Sequence, residues 1–349
     1  MPLHPRRMNR RQIAPAADRL SRRRLLTASA TGAATLAGAA ALTGAAPGPS
    51  SAAAGVRPSG RRRQRPGPPG PAGVRLRWLG NNGWEISFGG PGRPTTILID
   101  PWITRFPTGT YTPKGADPAT PLSVDTALID SLRLRADQIL VTHGHYDHLT
   151  DVPYLAARTG ATVLGTETHA NLLAALGAPE DQLSMVHGGE YLQFDGYTVQ
   201  VINSLHSMTG PRSRVPFPGT RPGSPPPRPR VISDLVEGGT LAYLITVGDK
   251  LSILDSGGAN YDARHLTGLA PDVLLLQPGG ASVPDYVPRL LDVLDHPPYV
   301  VPTHWDDFDH PLNEPARDWG GLAELEAAVH RADPEARFLR LDHLESFTF

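Results

Sequence analysis

No cysteine occurs among the 349 residues, which excludes a disulfide framework, a thiolate metal site and a cysteine nucleophile. Aromatic residues make up only 6% of the chain, charged residues 19%, and the formal net charge is −1. A chain this close to neutral lacks the field of an electrostatic nucleic-acid binder, if its charge is evenly spread. Glycine and proline are plentiful instead, at 36 and 37 residues. At about 100–200 residues per domain, the length allows one large domain or two small ones. Either has enough apolar material for a core.

The charge is not evenly spread. Residues 1–65 hold 13 Arg and a single acid, Asp18, which leaves 20 basic and 33 acidic side chains on residues 66–349. Within the basic part, Ser21-Arg22-Arg23-Arg24-Leu25-Leu26 precedes an uncharged run of Ala, Gly, Thr and Leu over 27–46, followed by small residues near Ala52-Ala53-Ala54. A basic n-region, a weakly apolar h-region and a small-residue cleavage region make a cleavable export signal over 1–55. The paired arginines before Leu-Leu resemble a twin-arginine signal, which implies the twin-arginine export machinery as a partner and an address beyond the cytoplasmic membrane. A membrane anchor is the poorer reading, because Ala, Thr and Gly make a weak bilayer span. No stable transmembrane segment is expected in the mature form. Residues 56–73 are rich in Pro, Gly and Arg and cannot bury enough apolar surface to offset their ordering entropy, so they form a linker. No aromatic residue is interleaved there for base stacking, and the acidic remainder repels polyanions. No nucleic-acid partner is expected.

A third region, 74–349, has the texture of a folded domain. Short β-rich runs at 74–78, 84–88 and 95–99 are separated by Gly80-Asn81-Asn82-Gly83 and Gly89-Gly90-Pro91-Gly92, both turn-forming clusters, and predict an antiparallel meander. Further strands are expected at 138–142, 162–165, 197–203, 241–247, 251–254, 273–277 and 299–301, with a last pair near 338–341 and 346–349. Helices are expected at 128–134, 149–158, 169–176, 288–295 and 322–332. Meanders followed by alternating strands and helices predict α/β sheets covered by helices on their outer faces. The stretch 211–230 is too polar and too proline-rich for a core and reads as a mobile surface loop.

Chemistry concentrates in His143-Gly144-His145-Tyr146-Asp147-His148. Three imidazoles and a carboxylate within six residues cannot all be core-filling groups, since buried polar side chains need partners. Neutral imidazole is the commonest metal ligand, and carboxylate oxygen suits the same ions. Side chains two apart in an extended segment point the same way, as His143 and His145 do. Asp147 and His148, at a helix entrance, can turn to a second position, and Gly144 permits the tight path.

This motif resembles that of the metallo-β-lactamase superfamily, and the resemblance covers residues 74–349. It implies a four-layer αββα sandwich and further ligands at strand ends. His206, Asp255 and His304 each follow an expected strand in the required order. By resemblance, one metal takes His143, His145 and His206, the other takes Asp147, His148 and His304, and Asp255 bridges them. Nitrogen and oxygen ligands suit two Zn²⁺ ions without excluding Mn²⁺ or Fe²⁺. The segments around Asn81-Asn82 and Ile99-Asp100-Pro101-Trp102 resemble the subgroup of sugar-lactone lactonases and the N-acyl phosphatidylethanolamine phospholipase D. Asp100 is then expected to fix a ligand histidine's tautomer, although a turn-initiating Asp before Pro explains it nearly as well.

The resemblance implies a dinuclear metal-dependent hydrolase whose acidified water cleaves an ester, lactone or related bond in a small-molecule or lipid-like substrate, with Asp147 helping to orient that water. The alternatives are a phospholipase D-like phosphodiesterase and, in a different class, a non-catalytic metal-binding scaffold. The remaining histidines, His169, His187, His265, His296, His310, His330 and His343 among them, fit no ligand position.

Overall fold

A computed structural model describes residues 73–90, 92–209, 214–279 and 283–349. The expected export signal, and the linker apart from Gly73, lie outside the described residues. The first sheet begins with β1 (Arg75–Trp78), β2 (Trp84–Phe88) and β3 (Thr95–Ile99), an antiparallel meander. It continues in parallel through β4 (Gln138–Leu140), β5 (Thr162–Gly165) and β6 (Leu183–Met185). The second sheet opens with the antiparallel β7 (Tyr191–Phe194), β8 (Tyr197–Asn203), β9 (Leu241–Val247) and β10 (Leu251–Asp255). Parallel β11 (Val273–Leu276), β12 (Tyr299–Pro302) and β13 (Arg337–Phe338) complete it. The last strand, β14 (Ser346–Thr348), returns to the first sheet beside β1.

Alternation along the strands sorts side chains to opposite faces of each sheet. Ile97 and Ile99 of β3 point between the sheets, where they share a core with Trp78, Trp84, Tyr243, Ile245, Ile253 and Leu275. Leu98 points the other way, into a second core with residues of α2 (Tyr146–Leu149), α3 (Val152–Thr159) and α4 (Glu167–Leu176), and with Ile129 of α1 (Thr126–Ser131). On the far side Leu244, Leu254, Leu274 and Val300 pack against α5 (Ala263–Leu266), α6 (Tyr286–Val293) and α7 (Leu322–Ala332). Three apolar cores between four layers define a helix–sheet–sheet–helix sandwich, with each fully buried Leu or Ile contributing about 1.5–3 kcal/mol. The sandwich is the architecture that the sequence resemblance implies. Among the described residues, no helix is long and apolar enough to cross a membrane.

Several expected elements form differently. The last two strands do not pair with each other: β13 joins β12 in the second sheet, and β14 joins β1 in the first. The single helix expected over 149–158 is two, α2 and α3, and Asp151, the residue just before α3, receives the backbone N–H groups of Ile103 and Thr104 on its carboxylate. Pro153 then opens α3, where its missing N–H costs nothing. Neither β6 nor β7 has a fully buried face, so apolar alternation could not mark them.

The described part of the 211–230 stretch lies on the surface but is pinned at successive points. Phe217 O and Gly219 O accept from the backbone N–H groups of Glu237 and Gly238. Thr168 Oγ1 accepts from Arg221 N, Asn171 Nδ2 donates to Arg221 O, and Glu167 accepts from Gly223 N. It is a strap tied to α4, and its prolines supply stiffness where packing cannot.

Candidate metal centre

Five strand ends and one turn meet at a single edge of the sandwich. The 79–83 turn follows β1, Asp100 follows β3, 143–148 follow β4, His206 follows β8, Asp255 ends β10, and His304 follows β12. Among the described residues, two trios of mutually close donors form there: His143, His145 and His206, and Asp147, His148 and His304, with the donor atoms of each within 4.8 Å of one another. The trios abut, since the His143 and His148 rings lie 3.8 Å apart between centroids.

Each histidine of the first trio has one nitrogen committed and the other left over. His143 Nδ1 lies 3.1 Å from Thr142 Oγ1, His206 Nδ1 lies 2.6 Å from Ser207 O, and His145 Nε2 lies 2.8 Å from Pro216 O. The spare nitrogens of His143 and His206 approach to 3.2 Å. Burial holds the His143 and His206 imidazoles below their ordinary value and His145 down at about 3. Three neutral imidazoles aimed at one point have no mutual hydrogen-bonding solution, and a cation provides one.

In the second trio Asp147 Oδ2 lies 3.3 Å from His148 Nε2 and from His304 Nε2. Burial opposes ionisation of Asp147, but His148 and His304 hold its carboxyl well below the usual range. For His148, burial alone would push the imidazole down, whereas Asp147 and Asp100 hold it up to about 10. His148 Nε2 is buried without a hydrogen-bond partner. An orphaned ring nitrogen beside a carboxylate and a second imidazole fits a divalent ion.

Asp100 Oδ2 accepts from His148 Nδ1 at 2.7 Å, from Asn82 Nδ2 at 2.8 Å and from the Thr142 hydroxyl. Asp255 belongs to neither trio. Its Oδ2 accepts from Asn82 at 3.0 Å and its Oδ1 from Gly257 N at 2.8 Å. Burial first, and the Asp100 charge second, push the Asp255 carboxyl up to about 7.

Asn81 and Asn82 are the residues that sequence reasoning missed. Both are fully buried. Asn82 spreads one amide group over Asp100 and Asp255 and receives Gln277 and Thr303 on its Oδ1. Asn81 donates to Asp147 through Nδ2, while its carbonyl accepts from His304 N at 2.8 Å. Asn81, Asp100 and His304 all have positive φ, at 50°, 40° and 54°. Such backbone costs on the order of 1–3 kcal/mol per residue and persists where its surroundings over-determine it. Of the non-ligand histidines, His169 caps α4 and meets Glu237 O, and His310 pairs with Glu314.

Both trios line a cleft of about 950 Å³. Its other walls include Tyr146, Met208, Pro216, Phe217, Pro278 and Phe308. Among the described lining residues none is Lys or Arg, and Asp147 is the sole carboxylate.

Residues 75–304 match the family model of the beta-lactamase superfamily domain. A UPF0173 metal-dependent hydrolase of Methanopyrus kandleri is 25% identical over 242 residues, covering 67% of this chain and 85% of that protein. Another, from Carboxydothermus hydrogenoformans, is 29% identical over 239 residues, covering 67% and 86%. Among solved structures, the metallo hydrolase Igni18 of Ignicoccus hospitalis superposes with a TM-score of 0.52 at 22% identity, over 79% of this chain and 98% of that one.

Proposed function

The chain belongs to the β-lactamase superfamily and is a metal-dependent hydrolase, and from that premise we propose that it holds two divalent ions, zinc by preference, and cleaves an ester, lactone or related bond. The observation that carries this reading is the pair of abutting trios, with His148 Nε2 buried without a hydrogen-bond partner on the side of the ring that faces Asp147 and His304. Two ions so held supply a water acidified enough to act as a nucleophile at neutral pH.

The protein's own groups do the rest. Asp100 keeps the Nδ1 proton of His148, so that Nε2 faces the site. Asn81 steadies the Asp147 carboxylate. Asp147, as the one carboxylate in the described lining, would help to orient the attacking water as well as hold the second ion. The apolar walls exclude bulk water and accommodate the non-reacting parts of a substrate. The described lining is mainly apolar, with Pro216, Phe217, Pro278 and Phe308 among its residues, which suits a neutral ester or lactone and keeps the phosphodiester as the alternative. Within the superfamily, the segments around Asn81-Asn82 and Ile99-Asp100-Pro101-Trp102 support the subgroup of sugar-lactone lactonases and the N-acyl phosphatidylethanolamine phospholipase D.

Export is part of the proposal. It rests on Arg22-Arg23 before Leu25-Leu26, on the uncharged run that follows, and on the acidic balance of residues 66–349.

Metal analysis of the purified protein is expected to give two ions per chain. A panel of lactones, acyl esters and bis-(p-nitrophenyl) phosphate is expected to show turnover of the carboxylic substrates first. Absence of bound metal would overturn the reading, and metal without hydrolysis of any substrate would favour the scaffold. Fusing residues 1–55 to a reporter and exchanging Arg22 and Arg23 for lysine is expected to block its export.

A further inference from the structure

The 211–230 stretch departs from its sequence reading, and its described part touches the first trio directly. His145 Nε2 lies 2.8 Å from Pro216 O. A carbonyl only accepts, so Nε2 carries the proton and Nδ1 is the nitrogen left for a ligand. The neighbouring Phe217 sets its ring edge-on to His145 and to Tyr146, at centroid distances of 6.0 and 6.4 Å. The position of the Pro216 carbonyl is itself set from outside the site. Glu237 donates its N–H to Phe217 O and accepts Gly144 N on its own carbonyl, so one residue ties the strap to the histidine motif. Further along, three α4 side chains hold the strap's backbone: Thr168 and Asn171 at Arg221, and Glu167 at Gly223.

We propose that the strap is a positioning element for the first metal. The Pro216 carbonyl holds His145 in the tautomer that presents Nδ1 to the ion, and α4 determines where that carbonyl stands. The inference rests on the two-ion reading above and adds to it a segment outside the ligand set. Residues that orient a metal-bound imidazole typically contribute about 10–100-fold in metal affinity, so the strap is expected to control occupancy of one site and leave the other alone.

Two loosened proteins test this. Glu167→Ala combined with Asn171→Ala releases the strap from α4, and Phe217→Ala loosens it beside His145. None of these residues belongs to either trio, and thermal melts report whether each variant stays folded. Zinc affinity is read by chelator competition, and the His145 ring nitrogens by ¹⁵N spectra of the zinc-loaded protein. In the wild type, His145 is expected to be bound through Nδ1 with Nε2 protonated. In either variant, one of the two ions is expected to bind about 10-fold or more weakly, with the second unchanged and the His145 signals altered. Wild-type His145 bound through Nε2, or unaltered affinities and His145 signals in both folded variants, would overturn the strap's role while leaving the two-ion reading standing. A wild-type protein that binds no zinc would overturn both.

Discussion

His148 donates its Nδ1 proton to Asp100 Oδ2 across 2.7 Å, and both side chains are fully buried. That bond leaves Nε2 as the nitrogen facing Asp147 and His304. Asp100→Asn keeps the volume but offers a weaker acceptor, so the competing tautomer gains population. The expected loss is about 10–100-fold in affinity for the ion at the second trio, with the first trio unaffected. Stepwise chelator competition separates the two sites, and equal affinities in wild type and variant would show that Asp100 does not orient His148.

Asn82 connects two buried carboxylates, Asp100 and Asp255, through one amide group. Asn82→Leu strips a donor from both and leaves Gln277 Nε2 and the Thr303 hydroxyl without their shared acceptor. A buried polar group left unpaired costs about 1–3 kcal/mol, so the variant is expected to unfold at clearly lower denaturant. Asn82→Asp is expected to be worse, because it places a third carboxylate among two that already repel. Urea unfolding of the metal-free protein checks both, and an Asp variant as stable as wild type would contradict the arrangement.

These two asparagines also show where sequence reading stops. The 143–148 motif is legible because its ligand types are contiguous, and no packed core has a use for three adjacent imidazoles. His206, Asp255 and His304 are legible because each directly follows a strand whose apolar alternation is plain. Asn81 and Asn82, flanked by glycines, are fully accounted for by turn chemistry. Their inward direction depends on Asp147, Asp100, Asp255 and Thr303, which come from separate segments far along the chain. The strap escapes sequence reading for a related cause: composition registers its prolines and its polarity, but the groups by which it is pinned are its own backbone carbonyls and N–H groups, which carry no residue signature.

Gly144 separates two reasons for needing glycine. Its φ is not positive, but an added Cβ would run into the carbonyl oxygen of Val236. Gly160, which ends α3 with φ 77°, has open space where a Cβ would go. Gly144→Ala must move either the histidine motif or the 236–237 backbone, and strain of this kind costs about 1–3 kcal/mol. Gly160→Ala bears only the left-handed backbone penalty of about 1–2 kcal/mol. The first variant is therefore expected to lose metal affinity as well as stability, and the second only stability. Chelator competition alongside thermal melts distinguishes them.

Asp151 provides a pH signature apart from the ligands. Burial pushes its carboxyl up to about 6, and the hydrogen bonds from Thr104 and Ile103 only partly offset that. The unfolded chain titrates this group near 3.9, so between about pH 4 and 6 the folded state binds more protons than the unfolded one. Stability from this group is fully present below about pH 4 and is lost as pH rises through 6. The difference between the folded and unfolded carboxyl corresponds to roughly 3 kcal/mol. Asp151→Asn has no proton to exchange, so the wild type is expected to lose stability relative to the variant across that window and to run parallel to it above about pH 7. Urea midpoints of both proteins from pH 4 to 8 measure the difference. A gap that stays constant, or that closes in the opposite direction, would mean that the three donors to this carboxylate outweigh its burial.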